Sequence, residues 1–159
     1  MFAFKWLVVL GLVLIGAQPS FADDRGKISG VWRLVSFEAE YQATGQREHV
    51  RGKNPTGFII FTSEGRMMVV LTNEGRKAPK TDQDRADLFN SVVAYTGMYH
   101  IEGDKWITNV DVSANPALVG TEQARFFRLD GNRLQEITQW SVRPEKGMGR
   151  SVITYERAK

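Results

Sequence analysis

Gln123, Arg125 and Phe127 alternate along one short β-type run, so they share one face of a strand while Ala124 and Phe126 share the other. If the first face turns inward, Arg125 has to meet a carboxylate or a bound anion, because an unpaired buried charge is strongly unfavourable. Glu38 and Asp111 are the acids that the strand pattern offers. Two chemistries follow. Arg125 with Gln123 orients the polar head of an otherwise apolar ligand through charge-assisted hydrogen bonds, or it closes an internal salt bridge that only fixes the fold. An arginine on the outer wall is the third reading. Phe127, Glu38 and Tyr99 complete the binding set, and Met67, Met68 and Met98 with Phe58, Phe61 and Trp106 are the side chains that could line an adaptable apolar pocket.

Other chemistry finds little support. His49 lies in a polar loop, and His100 shares a strand face with Met98 and Glu102; a zinc site would need several donors at fixed spacing, which are missing. Ser36, Ser91, Ser113 and Ser151 have neither a nucleophile-elbow context nor a paired His and Asp, so no catalytic residue is assigned. Gly147-Met148-Gly149 is too short for a phosphate loop and precedes no helix. No cofactor motif is present, and no metal site is expected.

These side chains have to be held by strands. From Gly30 onward short β-type runs alternate with turn signals, which points to a barrel or sandwich. The runs are 31–41, 57–62, 66–71, 97–101, 106–112, 122–129, 133–140 and 150–157. Ser63-Glu64-Gly65, Glu102-Gly103-Asp104-Lys105 and Asp130-Gly131-Asn132 read as hairpin turns between them. Residues 46–55 and 141–149 read as loops. One helix is expected over 82–95, with Thr81 or Asp82 as its cap and Leu88, Val92 and Tyr95 at helical spacing, so that it covers a barrel mouth or packs along the outside. The expected fold is therefore all-β: an eight-stranded up-and-down antiparallel barrel with one α-helix between the third and fourth strands. Runs 57–62 and 66–71 are continuously apolar, so both of their faces should be covered, one by the core and the other by a helix, a neighbouring sheet or a second copy in a homodimer.

Ahead of the strands, Met1 to Ala22 has the form of an export signal: one charge at Lys5, an apolar run from Trp6 to Ala17, and a small-residue end at Ser20-Phe21-Ala22. The apolar run is short for a bilayer span, so no stable membrane anchor is expected once it is removed. The expected organisation is a signal peptide at 1–22 and a barrel domain at 23–159, with Asp23-Asp24 in a solvated tail. The chain of 159 residues has no cysteine, so the oxidising compartment that the leader implies is not used for disulfides. A periplasmic or secreted location suits both facts. The net charge of +3 comes from arginines scattered among acids, not from a basic stripe with interleaved aromatics, which excludes nucleic acid as the expected partner.

The chain begins its first strand with Gly30-Val31-Trp32-Arg33-Leu34-Val35-Ser36-Phe37 and ends its last with Arg157. A Trp plugging the barrel floor beneath an Arg from the far end of the chain is a structural closure, the guanidinium lying over the indole. With Asn54-Pro55-Thr56-Gly57, Thr62-Ser63-Glu64-Gly65-Arg66-Met67, Gly97-Met98-Tyr99, Val119-Gly120-Thr121 and Leu129-Asp130-Gly131-Asn132-Arg133-Leu134, it resembles the calycin group and, within it, the bacterial lipocalin-like domain family. The resemblance covers nearly all of the chain after the leader. It implies the barrel fold; the low count of plausible acid-base groups beside many apolar and methionine residues leads to the expectation that the barrel binds a small apolar or amphipathic molecule in its interior without catalysis. Asn109 stands where the resemblance leads one to expect histidine; it is kept as a binding candidate, while any role needing an imidazole there is not carried over. Because some calycin barrels are enzymes, an isomerase, cyclase or hydrolase acting on a buried hydrophobic substrate is the alternative. It would need an interior acid of raised pKa, Glu38 or Asp111.

Overall fold

A computed structural model describes residues 22–159. All of the expected export signal except Ala22 lies outside the described residues. The described residues begin with α1 (Ala22–Ile28), followed by β1 (Gly30–Tyr41), β2 (Arg47–His49), β3 (Thr56–Phe61), β4 (Arg66–Thr72), α2 (Asp82–Asn90), β5 (Val92–Glu102) and β6 (Lys105–Ser113). A 3-10 turn at Pro116–Leu118 leads to β7 (Glu122–Asp130), β8 (Arg133–Ile137), β9 (Ser141–Arg143) and β10 (Gly147–Arg157). Neighbouring strands pair antiparallel in hairpin order, and β1 pairs with β10 to close the sheet. β2 and β9 are short strands on the two flanks of that sheet order, so the closed cylinder has eight strands: β1, β3, β4, β5, β6, β7, β8 and β10. Helix α2 falls between the third and fourth of them.

Alternation decides which side chains fill the cylinder. Trp32, Leu34, Phe37, Ile59, Phe61, Met67, Val69, Leu71, Tyr95, Tyr99, Trp106, Val110, Leu134, Ile153 and Tyr155 belong to one buried cluster. At one end it is sealed by aromatic rings: Phe61 meets Tyr99 and Trp106 edge-on with centroids 5.1 and 5.0 Å apart, and Trp106 reaches Phe127 at 5.6 Å. Trp32 and Arg157 are cross-strand partners, and the guanidinium lies 4.2 Å from the indole centroid.

The same closure holds α1. The Trp32 indole donates to the Ile28 carbonyl at 2.7 Å, and Arg157 donates to the Ser29 and Lys27 carbonyls at 2.9 and 3.1 Å. Ile28 is fully buried beneath them. The segment that holds Asp23 and Asp24 is helical, where a tail was expected, and Ile28 anchors its end to the core.

Three further expectations change. The helix stops at Asn90, and Val92–Tyr95 joins β5, pairing with Val69–Thr72 of β4. β-Branched Val92 and Val93 lose side-chain freedom in a helix and gain ladder bonds in a strand. Residues 46–55 and 141–149 are not loops throughout: Arg47–His49 adds to β1 and Ser141–Arg143 adds to β10. The outer face of β3 and β4 is not covered by any element among the described residues; Phe58, Met68 and Val70 stand exposed on it.

Candidate functional site

β7 presents Gln123, Arg125 and Phe127 to the interior, as its pairing with the inward Trp106 and Thr108 of β6 requires. Arg125 is held by three contacts. Its Nε lies 3.2 Å from the Glu136 carboxylate, Nη1 donates to the Ala124 carbonyl at 2.9 Å, and Nη2 donates to Gln123 Oε1 at 2.9 Å. Gln123 in turn donates to Thr121 Oγ1 at 2.9 Å, which fixes its amide with the oxygen toward the arginine.

The acid opposite Arg125 is thus Glu136 and not Glu38 or Asp111. Asp111 forms a 2.8 Å ion pair with Arg66 on the outer surface, and Glu38 lies on the outer face between buried Phe37 and Ala39. The signal for Glu136 was its two-residue spacing from Leu134, which faces the core. Ile137 masks it: that side chain is buried too, but on the outer face, in the groove that Trp140 also lines.

Glu136 is 4 % exposed and accepts a 2.8 Å hydrogen bond from the fully buried Tyr155 hydroxyl. Burial pushes its pKa above the ordinary carboxylate value, a rise that Arg125 and Tyr155 oppose without cancelling. Burial and the Glu136 charge raise Tyr155 well above the usual phenol value, and burial in the first place pushes Tyr95 up to about 12.

The remaining candidates do not gather here. Tyr99 faces inward at the sealed end, where its hydroxyl donates to the Thr62 carbonyl at 3.1 Å. Asn109 is exposed on the outer face of β6. His100 lies 3.2 Å from Glu102 on the outside, and His49 is exposed. Met67 is buried in the core, whereas Met68 and Met98 are exposed. Among the described residues no group of three or more His, Cys, Asp or Glu side chains is placed to hold a metal.

What the strand pattern did not show is a notch in the wall. β8 ends at Ile137 and pairs only with Phe126–Asp130 of β7, so Glu122–Arg125 have strand partners on one side alone. A cleft of about 450 Å³ opens at this point, lined by Gln123, Arg125, Thr138, Ser141, Arg143 and Ser151. Thr138 and Gln139 also line a second groove, of about 530 Å³, whose apolar walls are Phe126, Ile137 and Trp140. The Trp140 ring is braced by the Arg150 guanidinium at 4.5 Å.

Arg143, like Glu136, is a residue that sequence reasoning missed. Its stem crosses β10 over Gly149 so closely that a Cβ there would stand 2.9 Å from Cδ and Nε. The guanidinium then donates to Ser151 Oγ at 3.0 Å, while its Nε is buried without a partner. The pattern Gly149-x-Ser151, two small residues on one strand face opposite a basic one, was the available sign. On the interior side Thr108 Oγ1 and Trp106 Nε1 are likewise buried without partners, opposite Gln123 and Arg125 in the β6–β7 register. An apolar groove joined to a polar notch with buried, unanswered donors is suited to holding an amphipathic molecule.

No curated protein matches the chain. The sequence profile of the lipocalin-like domain matches residues 29–158, which is the barrel from the residue before β1 to the residue after β10. The chain belongs to the lipocalin-like domain family.

Proposed function

We propose that this protein is an exported, non-catalytic carrier of a small amphipathic molecule, taken up at the notch between β7 and β10. The lipocalin-like barrel supports a ligand-binding protein of the lipocalin type. The observation that carries the reading is the pair of clefts that share Thr138 and Gln139, one polar with Arg125 and Gln123, the other mixed, with Phe126, Ile137 and Trp140 beside Asp104, Arg128 and Arg150. The ligand's polar end meets Arg125 and Gln123, and its apolar part lies along the groove. The buried cluster already occupies the inward face of the strands, so the ligand lies in the wall and mouth of the barrel more than at its centre. The leader at 1–22 and the lack of cysteine support a periplasmic or secreted location.

Titration with N-phenyl-1-naphthylamine, an uncharged apolar fluorophore, tests the binding. One saturable site per chain is expected, emptied by decanol and abolished in Gln123→Trp, which fills the notch. Fluorescence that does not saturate, or that Gln123→Trp leaves intact, sinks the reading. Cell fractionation tests the export.

A second reading, an isomerase, cyclase or hydrolase, draws on Glu136 as an interior acid of raised pKa. Against it, Glu136 does not line the notch; Arg125 stands between them and shares its Nε with the carboxylate. A substrate in the cleft touches the arginine and not the acid.

A further inference from the structure

We infer that the head group recognised at the notch is anionic, and that Arg143 is the residue that recognises it. The inference rests on the binding reading above and narrows its ligand class. The two guanidiniums lining the notch differ in what neutralises them. Arg125 has Glu136 at 3.2 Å, so its charge is answered within the barrel. Arg143 has no carboxylate within ion-pair distance among the described residues: its one hydrogen-bond partner is the neutral Ser151 hydroxyl, and its Nε is buried with nothing to donate to.

A buried donor on a charged group leaves a large desolvation penalty standing unless an acceptor arrives. Glu122, on the rim, is the one acid among the residues lining the cleft. Glu48 is engaged by the Tyr41 hydroxyl and by Lys146 at 3.1 Å, and Glu40 by Arg150 and Arg47.

The fold also places Arg143 deliberately in space. Gly149 leaves room for its stem to cross the strand, and Ser151, two residues on and on the same face, takes one Nη. That leaves Nη1 with no hydrogen-bond partner among the described residues, a charged donor beside the cleft that a carboxylate or phosphate oxygen can accept from. Thr138 and Ser141 add hydroxyls along the same cleft. An alcohol head can accept a hydrogen bond there but leaves the guanidinium charge unanswered, and a cation would be repelled by it.

Displacement of N-phenyl-1-naphthylamine by four ten-carbon probes tests this: decanoate, decyl phosphate, decanol and decyltrimethylammonium. Decanoate and decyl phosphate are both expected to displace the fluorophore at concentrations about tenfold below decanol, and the ammonium compound least well. Arg143→Gln should erase the gap between decanoate and decanol, whatever it does to decanol alone, and Arg143→Lys should keep most of it. Gly149→Ala, which pushes the stem aside, should narrow it too. If decanol binds as well as the acids, or if Arg143→Gln keeps the preference, the anion assignment is wrong and the carrier reading stands. If none of the four displaces the fluorophore, both fall together. Preference for the phosphate over the carboxylate, or the reverse, identifies which oxyanion the site takes.

Discussion

Tyr155 hands a 2.8 Å hydrogen bond to the Glu136 carboxylate in a part of the barrel where neither side chain is more than 4 % exposed. With Arg125 Nε on the other side of the same carboxylate, β7, β8 and β10 are tied by one buried polar junction. Removing one partner of such a junction strands the other. Arg125→Met is expected to lower unfolding free energy by about 3–5 kcal/mol, and the double variant Arg125→Met with Glu136→Leu to recover most of it. Urea denaturation of the three proteins checks this. A double variant as unstable as Arg125→Met would mean that the arginine's stem, not its charge, holds the wall.

The pH dependence has a definite sign. Glu136 has a folded-state pKa above 4.5, because burial outweighs its hydrogen bonds, so the folded chain holds its proton to higher pH than the unfolded chain does. Its contribution to stability is fully present below 4.5 and is lost as pH climbs through the raised value. Asp111, Glu40 and Glu48 are lowered by their hydrogen-bonding partners and act in the opposite sense, which is why the comparison has to be differential. Stability of the wild type minus that of Glu136→Gln should fall with rising pH above 4.5. A flat or rising difference contradicts the assignment.

All four tyrosines, Tyr41, Tyr95, Tyr99 and Tyr155, have pKa values raised above 10. The causes differ: the Glu48 hydrogen bond acts first on Tyr41, and burial acts first on the other three. Absorbance at the phenolate band should therefore show no tyrosine titrating with an ordinary midpoint in the native protein. A full phenol's worth of change centred at 10, with the fold intact by circular dichroism, would show that one of these rings is freer than its contacts say.

Gly30 lies under the closure. Its φ of 128° is in the region that favours glycine, and a Cβ there would stand 2.7 Å from Arg157 Nη1. Gly30→Ala is expected to destabilise by about 1–3 kcal/mol. Part of that is steric, so in an Arg157→Ala background the same change should be less damaging. Equal penalties in both backgrounds would assign the whole effect to backbone strain.

The fold was legible from Gly30 onward because hairpin turns at Gly65, Gly103 and Gly131 separate runs with β-branched and aromatic residues, and local chemistry decides such turns. Alternation put Arg125 and Gln123 on one face with Phe127, but that this face turns inward came from the pairing with Trp106 and Thr108. Glu136 and Arg143 did not follow. The first was hidden because Ile137 beside it is buried on the opposite face, which no single-strand pattern distinguishes from the core. The second sits in a segment whose strand character depends on pairing with Gly147–Gly149, a tertiary fact. The notch itself exists because β8 stops early, and strand ends are what a sequence marks least clearly.

Helix α2 poses the last test, since a roof over the mouth was expected and the structure gives it no buried side chain. Thr81 caps it through a reciprocal pair of hydrogen bonds with Asp84, so its order is local: the cap, the Gln83–Asp87 hydrogen bond and the Arg85–Asp82 ion pair. A segment without core contacts can open while the barrel stays folded. Ala86→Pro, which removes about 3 kcal/mol from a helix interior, should therefore abolish the helical signal while changing global unfolding free energy by less than about 0.5 kcal/mol. Hydrogen exchange across 82–90 read beside urea denaturation separates the two quantities. If the global value drops by the full helical penalty, the helix unfolds with the barrel and is part of its cooperative unit.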